Sequence, residues 1–380
     1  MTSHGAIVLK RRGKLNILLN VFCSLAVGVP VALCAGVEAQ EAAGTPGYAE
    51  QAAHGAATLK QWYGQSTGLY AAPSGWWNSA NAITVLVNYS RVTGSKEYIA
   101  SIANTFANAN AANHTANFIN SYNDDEGWWA LAWIDAYDLT GNRAYLTMAE
   151  SIFADIESEW DTTTCGGGVW WSKSGGGTYK NTIANELFLA VAASLANRVG
   201  DPARKAHYLG WAKREWRWFK DSGMMNAQNL INDGLTSTNP KACTNNGATE
   251  WSYNQGVILG GLVELYRADD DPTLLPTAEA IADATIANLT RNGILQERTV
   301  SGNDTPQFKG IFVRNLALLY KAAPKAEYKR FVDANADSIW TNDQGPDYKF
   351  GGVWQGPFDS GDATRQTSAL DVLVAAAEMQ

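Results

Sequence analysis

The chain has 380 residues, enough for one large domain or two ordinary ones. Its formal charge of −8 makes a polyanion such as nucleic acid a poor partner. Four histidines and four cysteines form no Cys/His cluster, which leaves little for zinc chemistry.

The N-terminus reads as an address. Lys10, Arg11, Arg12 and Lys14 precede an apolar run from Leu15 to Ala35, broken by Asn16 and Asn20. Val37-Glu38-Ala39 then offers small residues for cleavage before Gln40. Residues 1–39 are therefore expected to be a signal peptide, and 40–48 a flexible lead-in. Residues 49–380 would form a secreted, extracellular body without stable membrane insertion. A membrane anchor competes with this reading, because the run approaches spanning length. The end of the chain, from Ala369 to Gln380, reads as ordinary helix and carries no lipid-anchor signal.

Cys23 and Cys34 would leave with the leader. In an oxidising compartment the remaining Cys165 and Cys243 predict one disulfide. Sequons at Asn88, Asn113, Asn288 and Asn303 are candidate glycosylation sites, Asn88 being the weakest because it falls in a predicted helix.

Helices are predicted over 49–63, 78–92, 95–110, 126–139, 142–159, 181–198, 202–219, 252–268, 273–290, 309–322, 325–340 and 364–378. Turns at Val92-Thr93-Gly94, Leu139-Thr140-Gly141 and Arg198-Val199-Gly200 separate three pairs, with glycine suited to a left-handed cap. Taken in order, the helices make six pairs starting with 49–63 and 78–92. The class is all-α. Twelve helices can bury their apolar stripes by closing into a toroid, or by forming an open superhelix or bundle. Small residues at Ala190, Ala192, Ala193, Ser194, Gly260 and Gly261 allow close helix approach.

Asn123-Asp124-Asp125-Glu126-Gly127-Trp128-Trp129 sets three acids before a predicted helix. Such acids suit helix capping. They also supply the two carboxyls that a glycosidase needs around a scissile bond. Fifteen tryptophans and fifteen tyrosines favour a sugar ligand, since aromatic faces pack on the C–H faces of sugar rings. Candidate substrate contacts are Trp76, Trp77, Trp128, Trp129, Asn185, Tyr253, Asn254, Gln255, Lys309 and Arg314. Each could instead be core packing or a partner for backbone groups. The triplets Gly166-Gly167-Gly168 and Gly175-Gly176-Gly177 lack a nucleotide-loop context and read as a constrained loop and a loop tip.

Several motifs together resemble glycoside hydrolase family 76, the endo-α-1,6-mannanases and related fungal cell-wall mannosyl enzymes. They are the segment 123–129, Cys165-Gly166-Gly167-Gly168-Val169-Trp170-Trp171, Thr249-Glu250-Trp251-Ser252-Tyr253-Asn254-Gln255-Gly256, Phe308-Lys309-Gly310-Ile311-Phe312 and Gly351-Gly352-Val353-Trp354. The resemblance implies an (α/α)6 barrel, a closed toroid of six helical hairpins, acting as a monomer on α-mannan or α-1,6-linked manno-oligosaccharides. It implies retaining, endo-acting hydrolysis with Asp124 as nucleophile and Asp125 as general acid/base, in a cleft that needs no metal or organic cofactor. The competing readings are a mannan transglycosylase, another α/α-barrel sugar enzyme such as a lyase or uronyl hydrolase, and a non-catalytic glycan-binding barrel.

Overall fold

The computed structural model describes residues 45–174, 179–236 and 242–380. The expected leader, residues 40–44 of the lead-in, and the triplet at 175–177 lie outside the described residues. The helices are α1 (Tyr48–Leu59), α2 (Trp76–Thr93), α3 (Ile99–Ala112), α4 (Asn123–Thr140), α5 (Arg143–Ser158) and α6 (Thr182–Arg198). They continue with α7 (Pro202–Ser222), α8 (Ser252–Asp269), α9 (Leu274–Asn288), α10 (Thr305–Ala322), α11 (Ala326–Asn342) and α12 (Ala363–Glu378). All twelve predicted helices are present. Three two-stranded antiparallel hairpins decorate the loops among the described residues.

Burial sorts the helices into two layers. In α6 every residue from Thr182 to Ala196 is buried, and α8 is buried from Asn254 to Leu265. Helices that are hydrophobic on all sides belong inside. In α5 the buried residues are Tyr145, Leu146, Ala149, Ile152, Phe153 and Ile156, one stripe at helical spacing. The even-numbered helices pack on one another in sequence, and α12 packs back on α2. The result is a closed inner ring inside an outer layer of odd-numbered helices, the (α/α)6 toroid. The pairing differs from simple sequence order at the seam: α1 packs mainly on α12 rather than on α2. Ring closure gives the first helix a neighbour from the end of the chain.

Close approach within the ring needs missing side chains. A Cβ on Gly256 of α8 would stand 2.5 Å from the Phe312 Cα of α10. One on Gly310 of α10 would meet the Ser368 carbonyl of α12 at 2.5 Å. The turns at Gly94 (φ 74°) and Gly141 (φ 70°) are left-handed caps as expected. At the third turn Val199 ends α6 in extended conformation and Asp201 caps α7, so Gly200 has no such task.

The Cys165–Cys243 disulfide is formed and ties the loop after α5 to the loop before α8. The glycine loop that follows Cys165 is held by Trp218, whose Nε1 donates to the Cys165 carbonyl at 2.8 Å. Among the sequons, Asn288 and Asn303 are exposed and Asn113 is half-buried at the end of α3. Asn88 lies on inner helix α2 and lines a cavity within the ring, a poor position for a glycan. Among the described residues no helix is long and apolar enough to cross a membrane.

Two glutamates face burial without hydrogen-bond partners among the described residues. Glu186 on α6 and Glu215 on α7 are both 0% exposed. Burial pushes both carboxyls well above their usual range; the Glu215 charge pushes Glu186 further, while Lys180 opposes the rise at Glu215.

The disulfide bridges a sequence separation of 78 residues, so Cys165→Ser/Cys243→Ser is expected to lose about 4 kcal/mol by the loop-entropy scale, measured by urea unfolding. Glu186 and Glu215 keep protons in the folded state that the unfolded chain releases. Their contribution is complete below the unfolded pKa and is lost as pH rises, by up to ~1.4 kcal/mol per pH unit for each carboxyl that stays protonated. Unfolding from pH 4.5 to 8 is expected to show falling stability. Glu186→Gln/Glu215→Gln should flatten that fall, and an unchanged slope would refute the assignment.

Candidate active site

Five inner helices bring their N-terminal ends to one mouth of the ring. There they line a cleft of ≈ 340 Å³. Trp77 comes from the first turn of α2, Asp124 and Asp125 from the first turn of α4, and Asn181 caps α6. Tyr253 comes from the first turn of α8, while Asp304 and Phe308 stand at the start of α10. Tyr122, Trp171, Tyr179 and Asp233 complete the wall from the loops. Helix N-termini carry partial positive charge and favour carboxylates. That field suits a cleft lined by four aspartates.

Asp124 and Asp125 lie inside α4, one turn earlier than the sequence pattern suggests. Neither is the cap: Tyr122 holds that position, without a side-chain bond. Each acid has its own side-chain donor. Trp171 Nε1 donates to Asp124 Oδ2 at 3.0 Å, and Asn120 Nδ2 donates to Asp125 Oδ2 at 2.7 Å. Asn123 anchors the opposing loop, since its backbone N donates to the Trp171 carbonyl at 3.0 Å and its Nδ2 to the Trp170 carbonyl at 2.8 Å. This pins Trp171 over the acids.

Burial pushes Asp124 well above the usual carboxylate range, and the Asp125 charge adds to the rise. Burial lifts Asp125 to about 6, opposed by the Asn120 hydrogen bond and aided by Asp304. The pair thus holds a proton at mildly acidic pH. Glu126, the third acid, is a structural group. It is fully buried, bonded to Lys173, and accepts from the Asn120 backbone N at 3.0 Å. Burial carries it up to about 8.

Of the candidate substrate contacts, the structure brings Trp77, Trp128 and Tyr253 to the cleft. Trp77 stacks on Trp128 with ring centres 5.6 Å apart and donates its Nε1 to Asp304 Oδ1 at 2.8 Å. Tyr253 stacks on Phe308 at 3.8 Å. The other candidates lie elsewhere. Adjacent residues on a helix point about 100° apart, so each Trp pair splits between cleft and core. Trp76 packs against Phe118 and Trp129, and Trp129 is fully buried beside Trp133.

The amides and cations serve the frame. Asn185 clamps Val169, accepting from its N at 2.8 Å and donating to its carbonyl at 3.1 Å. Gln255 does the same for Ile231, with both bonds at 2.8 Å. Asn254 is 0% exposed and does not line the cleft. Lys309 is buried, donates to the Gly352 carbonyl at 2.9 Å, and sits 4.0 Å above the Trp354 ring centre. Burial lowers it to about 7. Arg314 lies below the cleft, bonded to Asn81 and Asp371.

Sequence reasoning did not select Tyr122, Tyr179, Asn181, Asp233, Asp304 or Phe308 as contacts, and marked Trp171 only as one of several loop aromatics. Asp304-Thr305-Pro306 carries a helix-start signal that could have placed Asp304 at a ring mouth. Asp233 lies in a loop and has no comparable signal. Among the described residues no group of three or more His, Cys, Asp or Glu is arranged to hold a metal ion. The cleft can supply proton transfer and a carboxylate nucleophile between aromatic walls, which is the equipment for cleaving a sugar linkage.

Comparison with known proteins accords with this geometry. The family model for glycosyl hydrolase family 76 matches residues 48–380. The mannan endo-1,6-alpha-mannosidase DFG5 of Candida albicans is 29% identical over 349 residues, covering 82% of this chain and 74% of that protein. The mannan endo-1,6-alpha-mannosidase DCW1 of Saccharomyces cerevisiae is 25% identical over 341 residues, with the same coverage of 82% and 74%. Among solved structures, an inactive variant of the α-1,6-mannanase GH76A of Salegentibacter sp. HEL1_6, in complex with α-1,6-mannotriose, superposes with a TM-score of 0.80. It is 23% identical, covering 88% of this chain and 100% of that one. Dfg5 from Chaetomium thermophilum, in complex with glucosamine, gives 0.76 at 21% identity, covering 87% and 90%. These structural likenesses establish the fold. With the family model spanning nearly the whole described body, the chain belongs to glycosyl hydrolase family 76 and is a glycoside hydrolase.

Proposed function

We propose that the protein is a retaining endo-α-1,6-mannanase acting on α-mannan, secreted after loss of residues 1–39 and working as a monomer. The observation that carries this reading is the Asp124–Asp125 pair, set at a helix N-terminus between aromatic walls. The curated relatives are named for α-1,6-mannan cleavage. The solved mannanase with α-1,6-mannotriose is described as inactive after two neighbouring Asp-to-Asn replacements, which supports giving the chemistry to the adjacent pair here.

Asp124 attacks the anomeric carbon and forms a mannosyl-enzyme ester, while Asp125 gives its proton to the departing oxygen. Asp125 then takes a proton from water, which opens the ester with net retention. These roles require the pair's proton on Asp125 when the sugar is bound. The greater burial of Asp124 favours the opposite placement. The Trp171 N–H bond stabilises ionised Asp124 and the Asn120 amide does the same for Asp125, so the two hydrogen bonds do not by themselves choose between the placements. Tyr253, Trp77 and Trp128 supply flat faces for the sugar rings, and Asp233 and Asp304 accept from sugar hydroxyls.

Asp124→Asn and Asp125→Asn should each reduce turnover of linear α-1,6-mannan by about a thousandfold or more while the fold persists. Reducing-end assay and circular dichroism would measure this; full activity in either variant would remove its role. The first product should be the α-anomer by NMR, and a β-anomer would overturn retention. Because Asp125 must be protonated to act first, kcat/KM should fall as pH rises through about 6. α-1,2- and α-1,3-linked substrates should resist cleavage, and products longer than the substrate would reassign the enzyme to glycan transfer.

A further inference from the structure

Trp128 is a partition between two cavities. Its indole lines the cleft beside Asp124 and Asp125. It also lines a second cavity of ≈ 140 Å³, walled by residues of all six inner helices, most of them from the C-terminal halves. A core side chain is normally oriented by close packing on every side. Trp128 is 3% exposed yet lines both cavities, so the groups seated on its ring weigh more in orienting it.

Two ring contacts remain to set its plane. On the cleft side it stacks on Trp77. From the distal side the Arg314 guanidinium carbon stands 5.7 Å from its ring centre. Arg314 lines the distal cavity and not the cleft. It is itself tightly held: Nη2 donates to Asn81 Oδ1 on α2 at 2.5 Å, and Nη1 to Asp371 Oδ2 on α12 at 3.2 Å. Asp371 is 1% exposed and Arg314 is 12% exposed, so water screens neither bond well. Three inner helices therefore fix one guanidinium against a residue of a fourth.

We infer that Arg314 is a positioning residue of the enzyme, holding the Trp128 indole in the plane against which a sugar beside Asp124 and Asp125 packs. The sugar in that statement rests on the mannanase reading above. The orientation of Trp128 does not rest on it. Arg314 touches no substrate and acts through the ring. The planar fork is needed as well as the charge, because it must meet Asn81, Asp371 and the indole together.

The test uses Arg314→Met/Asp371→Asn, which removes the guanidinium without leaving a lone buried carboxylate. KM for an α-1,6-manno-oligosaccharide should rise about tenfold, with kcat changed less than about threefold, since sugar packing on the ring is uniform binding. The pH profile should keep its position. In a Trp128→Phe background the same replacement should add less than about a twofold loss, because both changes act on one ring. Fluorine NMR of the 5-fluorotryptophan-labelled protein reads the ring without turnover. The Trp128 resonance, assigned by its loss in Trp128→Phe, should shift and broaden. Should the double replacement not fold, Arg314→Lys carries the same readout, with a smaller shift expected. An unmoved Trp128 resonance, or losses that multiply in the Trp128→Phe background, would overturn the inference. Failure of the unaltered enzyme to cleave any mannan would instead sink the functional reading, and the fluorine spectrum would still decide the role of Arg314.

Discussion

Closure of the inner ring, with α12 packed back on α2, is the constraint on which the rest depends. It orients the even-numbered helices alike, so that five of their N-terminal ends meet at one mouth. An open stack of the same hairpins would spread those ends apart. The aligned helix dipoles offset part of the cost of placing Asp124, Asp125, Asp233 and Asp304 around a single cleft. Closure also demands close helix contact, which is why Gly256 and Gly310 face neighbouring backbone.

The same ring explains why so many polar groups proved structural. Loops between helices must have their backbone groups satisfied as they turn over the mouth. Asn185 and Gln255, near the starts of α6 and α8, use both ends of their amides to clamp Val169 and Ile231. Lys309 reaches the Gly352 carbonyl in the same spirit. Asn120 joins frame to chemistry: its amide holds Asp125 while its backbone N holds Glu126. The cleft is thus supported by side chains that never line it. The protonation of its acids is set by burial, with hydrogen bonds trimming the shift.

The sequence by itself determined the helix count, the class, the disulfide partners and the acidic motif. These depend on local periodicity, on turn glycines and on Cys165 and Cys243 being the two cysteines outside the expected leader, all of which are written along the chain. Family resemblance singled out the closed ring from the open alternatives. Tertiary structure decided which member of each neighbouring pair faces the cleft. Trp77 and Trp128 line it while Trp76 and Trp129 enter the core, because consecutive helical side chains diverge by about 100° and only the ring axis says which direction is inward. It also decided that Asp233 and Asp304, far from Asp124 in the chain, share its cleft, and that Arg314 stands beneath Trp128. Contacts between helices distant in sequence leave no periodic trace, so they existed only once the ring had closed.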